Sequence, residues 1–103
     1  MKHTTLAAFT LIATLGCGTT LAPKELLDAR DAYDRAAKGP AAKLTPAQLD
    51  TAKQALDKAE ASFKDDGDED GTKTMAYVAM RKAQAAAAQG EIAAAAQRRD
   101  QAR

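Results

Sequence analysis

Apolar positions along this chain recur at three- and four-residue steps in three separate stretches, and nowhere do they alternate. In the first stretch, Leu26, Ala29, Tyr33 and Ala36 form one stripe, which predicts a helix over residues 23–38. Pro23 suits a first helical position, where a missing N–H costs nothing, and Gly39-Pro40 ends the segment. The second stretch steps 3-4-3-4 through Leu49, Ala52, Leu56, Ala59 and Phe63, the clearest heptad-like pattern in the chain. It opens on Thr45-Pro46-Ala47-Gln48, which reads as a capping box with proline at the first turn, and it runs to about Lys64. Residues 41–44 between these two helices read as a linker.

The third stretch runs from about Lys73 to the end. Met75, Tyr77, Val78 and Met80 crowd its first turns, and Ala85 to Ala88 and Ala93 to Ala96 follow, flanking Gly90-Glu91-Ile92. Gly90 costs about 1 kcal/mol relative to alanine in a helix, so it marks either a close approach by another helix or a bend. Residues 65–71 carry five carboxylates and two glycines and read as an acidic turn, with Thr72 or Thr74 capping the third helix. Arg98, Arg99 and Arg103 complement the dipole at its far end. The Asp31→Arg35, Asp34→Lys38 and Glu60→Lys64 spacings place acid before base at i,i+4, the favourable order on a helix surface.

The fold class that follows is all-α. The second and third helices are expected to form an antiparallel hairpin with coiled-coil-like packing, and the shorter first helix joins them. The third helix outruns the second by about ten residues, or roughly 15 Å. That overhang needs the first helix, a second copy, or sequence beyond this chain. The chain stops without a C-cap signal, so the helix is expected to continue in a longer parent protein. The alanine stripes are also compatible with an oligomeric coiled-coil rod.

Composition sharpens this picture. The chain contains 27 alanines, the best helix-forming residue, and few large apolar side chains. The core must therefore be a thin, alanine-lined seam.

Residues 1–22 follow different rules. A basic start at Met1-Lys2-His3 precedes an apolar run from Leu6 to Leu15, then small residues. This is the layout of a secretory signal. Ten residues span only about 15 Å as a helix, too short for a bilayer core of about 30 Å. The run closes on Leu15-Gly16-Cys17, which holds the only cysteine. This resembles the lipobox of bacterial lipoproteins, with Thr14 standing where that family usually has leucine. The resemblance implies diacylglyceryl transfer to the Cys17 sulfur, cleavage before Cys17, and acylation of the new amine. Such a product is anchored by its acyl chains, each buried methylene contributing about 0.8 kcal/mol. Gly18, where the family's inner-membrane proteins tend to carry aspartate, implies the outer membrane and its periplasmic face. The alternative is an ordinary signal followed by an incidental thiol. The organisation is then a signal peptide at 1–16, a lipidated cysteine and tether at 17–22, and a helical domain at 23–103.

Losing residues 1–16 removes Lys2 and leaves 14 basic against 14 acidic residues. A neutral chain has no surface for phosphate backbones, so nucleic acid is not expected as a partner. Enzyme chemistry has little to work with. His3 is the only histidine and leaves with the signal, and Ser62 is the only serine and has no base beside it. No catalytic residue, cofactor or histidine–thiolate metal site is expected. One sharper pattern exists. Asp66, Asp68, Asp70 and Gly71 reproduce the start of a calcium loop between two helices. The twelfth position, which should be a bidentate glutamate, is Tyr77, so the loop would hold calcium weakly or serve as a solvated turn.

Pro23 to Tyr33, Leu44 to Leu49, Ala52 to Leu56 and Ala76 to Ala79 together resemble a domain of unknown function found in bacterial envelope lipoproteins. In that family the helical segment often precedes an OmpA-like peptidoglycan-binding domain. That second domain is absent from this chain, so peptidoglycan contact is implied only through sequence lying elsewhere. The resemblance implies a non-enzymatic structural or interaction role in the envelope, with an envelope protein or a second copy as partner. A rod like the murein lipoprotein would attach to peptidoglycan through a C-terminal lysine, and Arg103 stands in that place.

Overall fold

A computed structural model describes residues 21–103. Four helices follow one another: α1 (Lys24–Lys38), α2 (Ala41–Leu44), α3 (Pro46–Asp66) and α4 (Asp70–Gln101). No strand occurs among the described residues. The expected signal peptide and Cys17 lie outside them.

Helix α1 begins at Lys24, one residue later than expected, and ends at Lys38 as expected. Pro23 is the extended N-cap, and its carbonyl accepts the Leu26 and Leu27 N–H groups at 3.0 and 3.2 Å. Glu25 in the first turn and Arg35 and Lys38 in the last suit the helix dipole. The expected linker after Gly39-Pro40 is instead a single helical turn, α2. Pro40 stops α1 but its own φ of −66° lies in the helical range, so it starts α2, and its carbonyl accepts the Lys43 and Leu44 N–H groups. This changes the start of α3 as well. Thr45 does precede α3, with Pro46 in the first turn, but the expected capping box does not form: the Thr45 side chain makes no cap bond. The Thr45 N–H, which Gln48 would have accepted, donates to the Ala41 carbonyl at 3.0 Å. The Thr45 hydroxyl is left buried without a partner.

The acidic turn is also shorter than expected. Only Gly67-Asp68-Glu69 lies outside helix; Asp65 and Asp66 finish α3, and Asp70 and Gly71 start α4. Gly67 makes this possible by adopting φ 72°, and its N–H closes on the Phe63 carbonyl at 2.8 Å. Neither Thr72 nor Thr74 caps α4. Glu69 does so through its backbone, and Asp70 is tolerated in the first turn because a carboxylate there meets the positive end of the dipole.

Packing is organised on one stripe of α4. Thr72, Ala76, Ala79, Ala83, Ala86 and Gly90 are its buried residues, spaced 4-3-4-3-4. All are small. Leu26 and Ala29 of α1 and Ala59 of α3 meet Ala76 and Ala79 in one cluster, and Ala52 of α3 meets Ala83 and Ala86 in another. The stripes read from the sequence in the first two long helices are the ones buried here. Leu26 and the alanines of the stripes are fully covered, whereas Tyr33, Leu56, Phe63 and Met80 sit partly buried at the rim. Met75, Tyr77 and Val78 are outside, 42–53% exposed.

Helix α4 is 32 residues long and α3 is 21. Helices α1 and α2 both pack on α4, α1 beside the stretch that α3 also covers and α2 at Gly90, and no residue of α4 beyond Gly90 is buried. Gly90 marks the closest approach. A Cβ built on it would lie 2.5 Å from the Ala41 nitrogen and 2.9 Å from the Ala41 Cβ. Of the two readings of Gly90, close approach therefore holds, and α4 continues through it to Gln101.

Charges decorate the outside. Lys24–Asp28, Asp31–Arg35, Asp34–Lys38 and Lys53–Asp57 are i,i+4 pairs at 2.7–2.9 Å. Glu60 does not pair with Lys64 as the spacing predicted. It accepts both arms of Arg30 across the α1–α3 boundary, with the Nη2–Oε2 bond at 2.7 Å. That hydrogen bonding raises the Arg30 pKa above its ordinary value. Both side chains keep more than a third of their surface in water, so the pair fixes alignment more than it adds stability.

Replacing Gly90 by alanine should lower stability by about 1–3 kcal/mol despite alanine's better helix propensity, because the new methyl meets α2 backbone. Gly71→Ala, with nothing within 4 Å of the added carbon, should be neutral or stabilising by up to about 1 kcal/mol. Urea unfolding of the two variants checks the contrast.

Candidate functional site

Of the residues singled out for chemistry, Leu15, Gly16 and Cys17 lie outside the described residues. Ala22 packs against the cluster of Leu26, Ala29, Ala59, Ala76 and Ala79, so the described chain begins at the end where α3 turns into α4. Helix α4 runs away from that end for roughly 48 Å.

The acidic residues do not converge. Asp66 closes α3, Asp68 sits in the turn, and Asp70 opens α4. All three are exposed, and among the described residues no three acidic, histidine or cysteine side chains are grouped so as to hold a metal ion. Ser62, the one hydroxyl nucleophile weighed from the sequence, is occupied differently. Its hydroxyl shares a hydrogen bond of 2.7 Å with that of Thr72. Thr72 is completely buried at the top of the alanine stripe. The pair joins α3 to α4 beside the turn and satisfies a polar group that would otherwise be unpaired in the seam.

What the sequence reading missed is a surface. Along the flank of α4 away from α1, two shallow depressions of about 230 and 170 Å³ lie between α3 and α4 and share Thr51 and Lys82. They form one continuous groove. Met75 and Val78 lie in it, with Lys58 and Lys82 beside them, and no carboxylate lines it. The signal for it was present as arithmetic: Met75, Val78, Lys82, Ala85 and Gln89 step 3-4-3-4. The same stretch had been read only as large residues crowding the first turns of a helix.

These features define a class: an all-helical domain held by small residues, with its larger apolar and charged groups outward. The chain belongs to the family described as a domain of unknown function (DUF4398), whose family model matches residues 24–102. No curated protein and no solved structure matches the chain. No helix among the described residues is long and apolar enough to cross a membrane.

Ser62→Ala should cost about 1–3 kcal/mol, since it strands the Thr72 hydroxyl in the seam. Adding Thr72→Val should return part of that loss, because both polar groups are then gone. A double-mutant cycle by thermal or urea unfolding reads the coupling, and additive losses would contradict the role assigned to this pair.

Proposed function

We propose that this chain is a lipid-anchored envelope lipoprotein, attached to the periplasmic face of the outer membrane, with a non-enzymatic role as a spacer and protein-interaction module. The observation that carries this reading is the sole cysteine, Cys17, standing directly after an apolar run and Leu15-Gly16. The domain behind it has no histidine and no thiol, and its one serine is engaged with Thr72.

In this reading α3 and α4 act as an antiparallel hairpin with a coiled-coil-like seam. The tether of residues 18–22 spans at most about 18 Å. It would hold the turn end of the hairpin near the bilayer and carry the far end of α4 outward. A self-associating rod is the second reading. It is favoured by the last turns of α4, where Ile92 is 61% exposed beside Ala93 and Ala96 beyond the contact with α2.

The protein extracted from the membrane fraction should begin at Cys17 and carry the added mass of three acyl chains. Cys17→Ser should abolish that species and release the protein from the membrane. Cleavage at another position with a free thiol would overturn the anchor. Sedimentation of the domain as a monomer would remove the rod.

A further inference from the structure

We infer that the open groove between α3 and α4 is a docking site for one amphipathic helix of a partner protein, and that this helix is acidic along its flanks. The inference gives the interaction role proposed above a surface and a partner chemistry. It rests on the groove and not on the anchor.

The first support is geometric. The opposite flank of α4 is filled by α1, whose residues Leu26, Ala29, Tyr33 and Ala36 step 3-4-3 along it. The open flank repeats that pattern on both walls. On α4 the stripe is Met75, Val78, Lys82, Ala85 and Gln89; on α3 it is Gln48, Thr51, Ala55 and Lys58. Two parallel stripes at heptad spacing form a row of holes for the knobs of a further helix. The stretch from Thr74 to Gln89 is roughly 22 Å long, enough for four turns. Met75 and Val78, 45% and 42% exposed, are the apolar groups such a helix would cover.

The second support is charge. Lysines 24, 38 and 53 each pair with an aspartate four residues away. Lys58 and Lys82, like Lys43, Lys64 and Lys73, form no ion pair, but these two share a groove that nothing acidic lines. This distinguishes the possible occupants. Two copies meeting groove to groove about a two-fold axis would bring four lysines together with no counter-charge. A bilayer surface is too flat to reach the floor between two helix ridges. A helix with glutamate or aspartate beside its apolar stripe satisfies both the holes and the lysines.

The test uses the full chain carrying Cys17→Ser and two fluorescent, helix-stabilised peptides of about 18 residues. Both peptides carry alanine and leucine at heptad spacing; one has glutamate on its flanks and the other lysine. Fluorescence anisotropy should show saturable binding of the acidic peptide, at least about tenfold tighter than the basic one. The double variant Lys58→Glu, Lys82→Glu, with its helicity confirmed by circular dichroism, should reverse that order. Equal binding of both peptides, binding of neither, or an order unchanged by the double variant overturns the proposal. So does lysine-dependent binding to phosphatidylglycerol vesicles without peptide binding, or dimerisation in sedimentation that the double variant abolishes. Because Cys17 is absent throughout, none of these outcomes depends on whether the protein is lipidated.

Discussion

The structure depends on how closely α4 can be approached. Its buried stripe of Thr72, four alanines and Gly90 has no side chain longer than a threonine, so α1, α2 and α3 all lie close against it. Small contact residues bring helix axes toward the 8 Å end of the usual range, where backbone and Cβ atoms themselves supply the dispersion contacts. At Gly90 the approach is so close that even one methyl has no room beside Ala41. At the other end of the stripe the Ser62–Thr72 hydrogen bond fixes how α3 and α4 are aligned. Between these two points the buried contacts on α4 are alanines, met by Leu26 of α1.

This way of packing has a consequence for the surface. A seam of alanines leaves little space for large side chains, so apart from the fully buried Leu26 the chain's larger apolar groups lie at its rim and exterior. Leu56, Phe63 and Met80 cover the seam edges, while Met75, Tyr77 and Val78 face water. A chain that needed only to fold could carry polar residues at those exterior positions. The placement of Met75 and Val78 beside two unpaired lysines, in a groove with heptad geometry, is what connects the packing to a binding role. The lipid anchor, if formed as proposed, would present that groove along a rod standing off the membrane from its turn end.

Periodic stripes were legible in the sequence wherever the step was regular: Leu26, Ala29, Tyr33 and Ala36 in α1, and Leu49 to Phe63 in α3. The element junctions were not, for reasons that can be named. Pro40 reads as a terminator, yet its fixed φ also begins a helix, and α2 followed from that second property. Thr45 and Gln48 match a capping box, but the donor it needs was taken by Ala41 once α2 existed. Five carboxylates read as a long turn, whereas helix ends adjoin solvent and absorb three of them. Gly90 was ambiguous because its meaning lies in Ala41, forty-nine residues away. The candidate chemistry at Cys17 rests on the sequence alone, and the groove became visible only when both of its walls were in place.

The most direct test of this account compares the inside of the seam with its outside. Ala83→Leu, in the middle of the buried stripe, should lower unfolding stability by about 1–3 kcal/mol or more, since nothing around it can give way. Met75→Ala combined with Val78→Ala removes apolar volume from exposed positions, and should change stability by no more than about 0.5 kcal/mol. A tolerated leucine at position 83, or a large loss from the exterior pair, would mean that the exterior residues hold the fold together. The groove would then be part of the structure and not a surface kept for a partner.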